Sequence, residues 1–183
     1  MNQAQTQARL VEDAFKDMLS ADDFKSAFRN HPAGVSVVTA DPGDGPVGLT
    51  ATSVISVSAN PPLLVFSLSA FSSAAPALAR AETVVVHLLG VEQLEVAKVF
   101  ATSGIDRFAD RSSWSRLPTG EPILAHTPTW LRGRVVNRMS AGDSTVMAVQ
   151  VLQAQVPGPD ITSEPLVYHN RTWHSLSPQS ARN

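Results

Sequence analysis

Cysteine is absent from the 183 residues, which excludes disulfide bonds, thiolate metal sites, iron–sulfur clusters and cysteine nucleophiles. An excess of positive charge is also missing, because 14 basic and 16 acidic residues leave a formal charge of −2. We therefore expect no nucleic-acid partner, since such binding depends on Lys and Arg contacts to phosphates. The apolar runs, such as residues 84–86, are too short to span a membrane, and the polar N-terminus is unlike a secretory signal. The sequence thus predicts a cytoplasmic protein without a membrane partner.

Several cofactor and catalytic motifs are missing as well. No Gly-x-Gly-x-x-Gly occurs, so a Rossmann fold is not expected, and no Gly-x-Ser-x-Gly presents a serine nucleophile. The five histidines show neither His-x-x-x-His nor His-Glu-x-x-His spacing, and we predict no metal site. His87 lies within an apolar run and is interpreted as a hydrogen-bonded core histidine.

Short segments with a two-residue hydrophobic period dominate the chain from Ala33 onward. The predicted strands cover residues 35–39, 47–58, 63–68, 83–89, 130–139, 145–156, 166–169 and 172–176. A dense turn cluster at residues 41–46 predicts a hairpin, and two helical segments at 74–81 and 91–102 interrupt the strands. Many short strands with few helices predict a mainly β fold, a barrel or a sandwich, with peripheral helices.

The two chain ends are predicted to lie outside this domain. Residues 1–22 form an N-terminal helical extension, either frayed or docked on a partner subunit, with Leu10, Ala14 and Met18 at roughly helical spacing. Ser20 and Asp23 match a capping-box pattern that opens a helix through Phe28. The folded domain is then 23–176, followed by a polar C-terminal tail at 177–183.

A stretch of hydroxyl side chains is the most informative local pattern. If residues 50–60 were one extended strand, a single face would carry Thr50, Thr52, Val54, Ser56, Ser58 and Asn60. Neighbouring side chains on such a face lie about 7 Å apart and can hydrogen-bond a phosphate or a polyol. The alternative is an ordinary solvent-exposed strand face, which composition alone favours.

Three further positions carry polar groups, and the first two suit an anionic ligand. Ser72 and Ser73 precede a predicted helix, where either can act as N-cap or present free N–H groups to an anion. Arg107 follows the helix-ending Gly104 and can pair with a phosphate. Asp143 lies in a predicted turn between two strands. Each position also has a simpler interpretation, as a helix cap, a surface arginine and a turn residue.

Read in order, these pieces resemble the flavin reductase family, whose fold is an FMN-binding split β-barrel. The similar stretches are FKSAFRNHPAGV at 24–35, GLTATS at 48–53, SVSANPPL at 56–63, SSA at 72–74, Arg107-Phe108, Gly142-Asp143 and PLVYH at 165–169. No single stretch is decisive, but the ordered set is specific to the family. The resemblance covers about residues 24–176, most of the chain.

The resemblance implies an enzyme that reduces FMN or FAD with NADH or NADPH. Such enzymes are typically homodimers and supply reduced flavin to a separate monooxygenase. Hydride passes directly between the two cofactors, so no acid, base or nucleophile is expected from the protein. Carried over onto this sequence, the flavin-binding residues are Thr50, Ala51, Thr52, Ser53, Ser72, Ser73, Ala74, Arg107 and Phe108. Asn60, from the hydroxyl-bearing strand face, completes the predicted set.

One residue departs from the family pattern. Many members have Gly-Asp-His where this chain has Gly142-Asp143-Ser144, and that His is thought to place the nicotinamide. Ser144 keeps a hydrogen bond but loses the ring, so we predict that Tyr168 and His169 complete the nicotinamide site. The departure motivates an alternative, a non-catalytic flavin-binding protein; a further alternative is a split-barrel oxidase of the pyridoxamine-phosphate type.

Overall fold

Strands dominate the structure, a computed structural model that describes residues 18–158 and 163–182. The helices are α1 (Ala21–Arg29), α2 (Ala75–Leu78) and α3 (Leu94–Ala101), with 3₁₀ turns at Val91–Gln93 and Pro178–Ser180. The strands are β1 (Ala33–Gly34), β2 (Ser36–Ala40), β3 (Val47–Ala51), β4 (Ile55–Ala59), β5 (Pro62–Ser69), β6 (Thr83–Leu88), β7 (Trp114–Arg116), β8 (Pro122–Leu124), β9 (Thr129–Ala141), β10 (Ser144–Gln155), β11 (Leu166–His169) and β12 (Thr172–Ser175). The predicted class, mainly β with peripheral helices, is confirmed.

Seven strands form one antiparallel sheet in the order β3-β2-β6-β9-β10-β5-β4. Its two edge strands, β3 and β4, are joined by residues 52–54 alone, a connection that spans at most about 14 Å. The sheet must therefore curl until its edges approach each other, although these two described strands are not paired with one another. The result is an open barrel, split between β3 and β4, in agreement with the predicted fold.

Two apolar clusters form the core. The first fills the barrel and includes Val38, Phe66 and Met147, each fully buried. The second lies beside it, under α3, where the ring of Phe108 meets those of Phe100 and Trp114 edge-on at centroid distances of 5.2 and 5.1 Å. This second cluster fixes α3 and the loop that follows it against β3, at the split edge of the sheet.

The prediction of a single strand over 47–58 is wrong, because the chain leaves the sheet at residues 52–54. Ser53 accounts for the break. Its hydroxyl accepts the Ser67 N–H at 2.9 Å and donates to the Ser67 carbonyl oxygen at 3.3 Å, which ties the connection to β5. A bulge between Ser56 and Ser58 interrupts β4 as well. The hydroxyl side chains therefore do not form one continuous strand face.

The other predicted elements differ less. The remaining strands lie within one or two residues of their predicted bounds, and the 41–46 turn joins β2 to β3 as expected. The predicted helix 74–81 is shortened to α2, and its N-cap is Ala74 rather than Ser72 or Ser73. The Ser72 hydroxyl instead accepts the Ala74 N–H at 3.3 Å within the preceding turn. The short strands β1, β7 and β8 were not expected, since two or three residues carry no periodic signal.

The N-terminal part of the structure begins just before α1. Ser20 caps this helix as predicted, since its hydroxyl accepts the Asp23 N–H at 3.0 Å. No residue of α1 is buried, and Phe24 and Phe28 are both more than half exposed. Most of the predicted extension 1–22, including Leu10 and Ala14, lies outside the described residues, as does the last residue of the predicted tail.

His87 is buried completely between β2 and β8, which confirms its interpretation as a core histidine. Its Nδ1 lies 3.1 Å from the Val37 carbonyl oxygen, and its Nε2 accepts the Leu124 N–H at 3.1 Å. These two partners require the neutral ring with the proton on Nδ1. Burial lowers the pKa of His87 to about 4, so the ring stays neutral at physiological pH.

Candidate functional site

A cleft of about 500 Å³ opens at the split edge of the barrel, between β3, β5 and α3. We call it the main cleft. Its lining includes six predicted flavin-binding residues: Thr50, Ala51, Thr52, Ser53, Ser72 and Arg107. The residues come from three separate parts of the chain, and the barrel fold brings them together. The volume lies within the range of small-molecule and cofactor sites.

The close approach of α3 to β3 forms one wall of the main cleft. Gly48 permits it, because an added Cβ would lie 2.7 Å from a ring carbon of Phe100 and 2.9 Å from the Val38 carbonyl oxygen. The Thr50 hydroxyl then donates to the Ala97 carbonyl oxygen at 2.7 Å, which fastens the helix to the strand. Phe100 consequently presents part of its ring to the cleft.

The hydroxyl groups of the cleft differ in what they already bind. Thr50 donates to α3, and Ser53 both donates to and accepts from Ser67, so these two hydroxyls act mainly within the protein. Thr52 is exposed at the split, and within the described residues its hydroxyl has no hydrogen-bond partner. Thr52 is therefore the hydroxyl of the predicted row best placed to bind a ligand.

Arg107 supplies the positive charge of the main cleft. Its guanidinium donates to the Thr102 carbonyl oxygen at 2.8 Å and to the Ser73 hydroxyl at 3.2 Å. Its Nε is buried and has no hydrogen-bond partner among the described residues, and Nη1 and Nη2 each use one of their two N–H groups in these bonds, which leaves further donors for a ligand. Desolvation lowers the pKa of Arg107, but a guanidinium remains charged at neutral pH.

A side pocket of about 170 Å³ lies behind Arg107, which lines both spaces. It contains the predicted residues Ser73, Ala74 and Phe108. The Phe108 ring belongs to the buried aromatic cluster, so this residue acts in the structure chiefly by holding the Arg107 loop. The side pocket and the main cleft share one lining residue, Arg107, so a ligand that filled both would have to pass its side chain.

A second groove, of about 570 Å³, adjoins the main cleft on the other side of residues 52–53. We call it the α1 groove, because it lies between α1, the 52–55 segment and the β11–β12 hairpin. Tyr168 and His169, the predicted nicotinamide residues, line it. Thr52 and Ser53 line both spaces, so they form a common wall.

Ser144 and Asn60 lie outside both groups of lining residues. Ser144 begins β10 and pairs with Ser69, whose side chain lines the main cleft. Ser144 is thus near the main cleft, whereas Tyr168 and His169 line the α1 groove. Asn60 lies in the turn between β4 and β5, a full strand length from Thr52, and the structure does not bring it to either space.

Comparisons with known proteins identify the family of this chain. The sequence profile of the flavin reductase like domain family matches residues 28–177. The chain belongs to the flavin reductase family. An NADH:FMN oxidoreductase of Rhodococcus qingshengii is 45% identical to this flavin reductase over 161 residues, which are 87% of this chain and 84% of the relative. An NADH:riboflavin 5'-phosphate oxidoreductase of Streptomyces pristinaespiralis is 32% identical, over 92% of this chain and 95% of the relative.

Solved structures of other flavin reductases share its fold. A flavin reductase domain protein from Arthrobacter sp. FB24 superimposes with a TM-score of 0.81 at 36% identity, covering 87% of this chain and 97% of its own. An NADH:FAD oxidoreductase of Streptomyces globisporus C-1027, in complex with NAD and FAD fragments, superimposes with a TM-score of 0.78 at 26% identity. It covers 90% of this flavin reductase and 99% of its own chain. The resemblance inferred from the sequence is confirmed.

Seven residues that line the main cleft of this flavin reductase were not among those predicted. They are Leu49, Ser67, Ser69, Phe71, Phe100, Ala101 and Ser103. Ser67 and Ser69 alternate with the buried residues of β5, so the strand period places both on the same face. Phe71 is 83% exposed. Its position in a turn, directly before Ser72 and Ser73, was the sequence signal that could have identified it as a lining residue.

The described part of the flavin reductase contains neither a cluster of metal ligands nor a helix that could span a membrane. In residues 18–158 and 163–182, no three His, Asp or Glu side chains come together as metal ligands. Within the same residues, every helix is too short or too polar to cross a bilayer.

Proposed function

We propose that the main cleft binds the flavin, with Thr52 and Arg107 as its principal polar contacts. The chain is an NAD(P)H-dependent flavin oxidoreductase of the flavin reductase family. The observation that carries the assignment of the site is that the Arg107 guanidinium and the exposed Thr52, whose hydroxyl has no partner among the described residues, line the same cleft. A phosphate or ribityl chain is the part of a flavin that such donors suit.

The apolar lining of the cleft fits the other part of a flavin. Phe71 and Phe100 lie at its rim and wall, and a flat ring system packs well against aromatic side chains. Ser67, Ser69 and Ser72 add neutral hydrogen-bonding groups without adding charge. The donor set therefore suits a neutral ring joined to an anionic tail.

The reaction asks for positioning rather than for acid or base catalysis. When bound, the flavin supplies the hydride acceptor at N5, and the nicotinamide supplies the hydride from C4. The residues of the cleft hold one partner and exclude water, while the α1 groove holds the other so that its nicotinamide reaches the flavin past Thr52 and Ser53, which line both spaces. Tyr168 and His169 are the residues we assign to the donor, and Ser144 lies beside Ser69 of the main cleft.

FMN and NADH are the substrates that we assign to this reductase. Both relatives above are named for NADH and for FMN or riboflavin 5'-phosphate, and one of them is 45% identical. Another relative, from Streptomyces globisporus C-1027, is named for FAD, and its structure contains NAD and FAD fragments. FMN has a terminal phosphate within reach of a single arginine, which matches the one guanidinium among the residues of the main cleft.

Two partners complete the proposed function. The first is a flavin-dependent oxygenase that uses the reduced flavin, since one relative is the reductase subunit of stachydrine N-demethylase and another is the reductase component of a two-component tryptophan halogenase. The second is another copy of this chain. Edge strand β4 exposes Ile55 and Val57, at 59% and 56%, and an unprotected apolar edge strand favours association.

Anaerobic mixing of the FMN-loaded chain with NADH tests the assignment directly. We expect rapid loss of the visible flavin absorbance, and slower loss in Arg107→Gln at subsaturating FMN. Arg134→Gln, a change at an exposed arginine on β9 outside the cleft, is the matched control. Tight FMN binding with no loss of absorbance would support the non-catalytic alternative and contradict the proposal.

A further inference from the structure

The α1 groove concentrates positive charge in a protein whose net charge is −2. The cationic or titratable side chains that line it are Lys25, Arg29, His31, His169 and Arg171. Its described lining contains no acidic residue. Of these side chains, Lys25 alone has an ion-pair partner within the described residues, Asp22 at 3.6 Å, and both ends of that pair are highly exposed. Such a pair contributes little and leaves Lys25 available to an anion.

Two of the arginines are brought together by a backbone contact. The Asn170 N–H donates to the Arg29 carbonyl oxygen at 3.0 Å, which fixes the end of α1 to the turn between β11 and β12. Arg171 is the next residue in that turn. The two guanidinium groups therefore extend from adjoining backbone segments, one from a helix end and one from a hairpin.

The hairpin turn holds Arg171 in an unfavourable backbone conformation. Asn170 and Arg171 have φ angles of 47° and 62°, and a two-residue turn of this kind favours Asn followed by Gly. Asn fits the first position, but Arg at the second costs about 1 kcal/mol relative to a right-handed conformation. A strained residue whose charged side chain lines a groove points to a function for that side chain.

Aromatic rings lie next to these charges. The rings of Phe24 and Phe28 are 4.7 Å apart on the exposed face of α1, and the half-buried ring of Tyr168 lies across the groove. Cationic and aromatic side chains together are suited to a ligand that joins phosphates to a flat base. The common wall of Thr52 and Ser53 places such a ligand beside the main cleft.

We propose that Lys25, Arg29 and Arg171 bind the diphosphate of the dinucleotide hydride donor, with its adenine on the Phe24 and Phe28 side of the α1 groove. The proposal rests on the proposed function, because it assigns to the donor the groove that adjoins the flavin cleft. It separates two tasks within that groove. Tyr168 and His169 lie towards the nicotinamide, and the three cations determine that the donor is a phosphorylated dinucleotide.

Calorimetric titration of the FMN-loaded chain with ADP-ribose measures the diphosphate contact without any turnover. We expect Arg171→Gly and Arg29→Gln each to weaken ADP-ribose binding and to raise the KM for NADH by about tenfold, the usual effect of losing a charged hydrogen bond. Arg171→Gly also relieves the turn, so weakened binding in it cannot be attributed to unfolding. Arg134→Gln is the control and should change neither quantity.

A truncated hydride donor separates this inference from the function on which it rests. N-benzyl dihydronicotinamide has no phosphate, so both variants should use it as well as the unmodified chain does. ADP-ribose affinity unchanged in both variants, or an equal loss of activity with the truncated donor, would overturn the inference. A chain that binds ADP-ribose through these arginines but does not bind FMN would support the inference and contradict the proposed function.

Discussion

Between pH 4 and 6.5, His87 keeps its ring neutral in the fold, whereas the unfolded chain is mainly protonated at this residue. Its pKa is about 4 in the fold, against 6.5 for an unperturbed histidine, so the unfolded state binds more protons between these two values. The free energy of unfolding should therefore fall as the pH drops from 6.5 to 4, by roughly 3 kcal/mol from this residue. Urea unfolding across that range measures the slope.

His87→Gln serves as the comparison for this pH dependence. Glutamine does not titrate, so the variant should be less stable at pH 7 but should lose less stability on acidification. If the free energy of unfolding fell equally steeply with pH in His87→Gln and in the unmodified chain between pH 6.5 and 4, groups other than His87 would account for the proton uptake.

Thr52 and Ser53 are neighbours with the same chemical group and different expected roles. Thr52→Ala removes an exposed hydroxyl at the cleft, so we expect FMN affinity to fall several-fold with little change in stability. Ser53→Ala removes both hydrogen bonds to Ser67, and the free energy of unfolding should fall by about 1–2 kcal/mol. Fluorescence titration of FMN and urea unfolding measure the two effects. A larger stability loss in Thr52→Ala than in Ser53→Ala would reverse this assignment.

Ser144 offers a test of where the nicotinamide lies. Its pairing with Ser69 places it at the rim of the main cleft, and Ser144→His would add a planar ring there. Because the donor is assigned to the α1 groove, we expect both the KM for NADH and the FMN affinity to stay unchanged. A KM lowered about tenfold, a gain of 1.4 kcal/mol, would instead place the nicotinamide at this rim. Steady-state kinetics with NADH and an FMN titration give the two quantities. A collapse of FMN affinity with no change in KM would place residue 144 in the flavin site instead.

At the scale of elements, the turn between β11 and β12 lowers the stability of the fold, because it holds Arg171 at a positive φ angle. Glycine adopts a φ near 62° freely, so Arg171→Gly should raise the free energy of unfolding by up to about 1 kcal/mol. Thermal unfolding of the two chains at neutral pH measures the change. Arg171→Ala, which keeps the strain of a side chain at positive φ, should bring no gain.

The elements differ in how far local sequence determines them. Helix α3 and the long strands β9 and β10 follow periodic hydrophobic patterns, and each lies close to its predicted bounds. The break at residues 52–54 was not predictable in this way, because Ser53 finds its partner in Ser67, fourteen residues away. A contact between strands can override the local preference for an extended chain.

The residues of the candidate site also differ in how far the local sequence predicts them. Thr50, Thr52 and Arg107 were found from residue type and family resemblance, and the fold brings them to one cleft. Asn60 followed from the assumption of one continuous strand face, and it lies at the far end of β4, in the turn to β5. The cations of the α1 groove carry no contiguous motif, since α1 and the β11–β12 turn are about 140 residues apart along the chain and meet only in the fold.

At the scale of the whole molecule, the exposed edge of the barrel predicts a second copy. Val57→Lys places a charge on β4 at a side chain that is 56% exposed, so the fold should tolerate it while association should not. Sedimentation at micromolar concentration should show a dimer for the unmodified chain and a monomer for the variant. Val99→Lys, on α3, is the control and should remain dimeric. A monomeric unmodified chain would contradict the proposal.

The wall of Thr52 and Ser53 between the two spaces has a thermodynamic consequence. An occupant of either space meets the same two residues, so the free energy that one occupant gains through them depends on whether the other is present. The two affinities are therefore coupled. Because the binding cycle is closed, the factor by which the flavin changes the affinity for the donor equals the factor by which the donor changes the affinity for the flavin. Departure of the oxidised donor consequently changes the affinity for the flavin by that same factor, just before the flavin leaves for another protein.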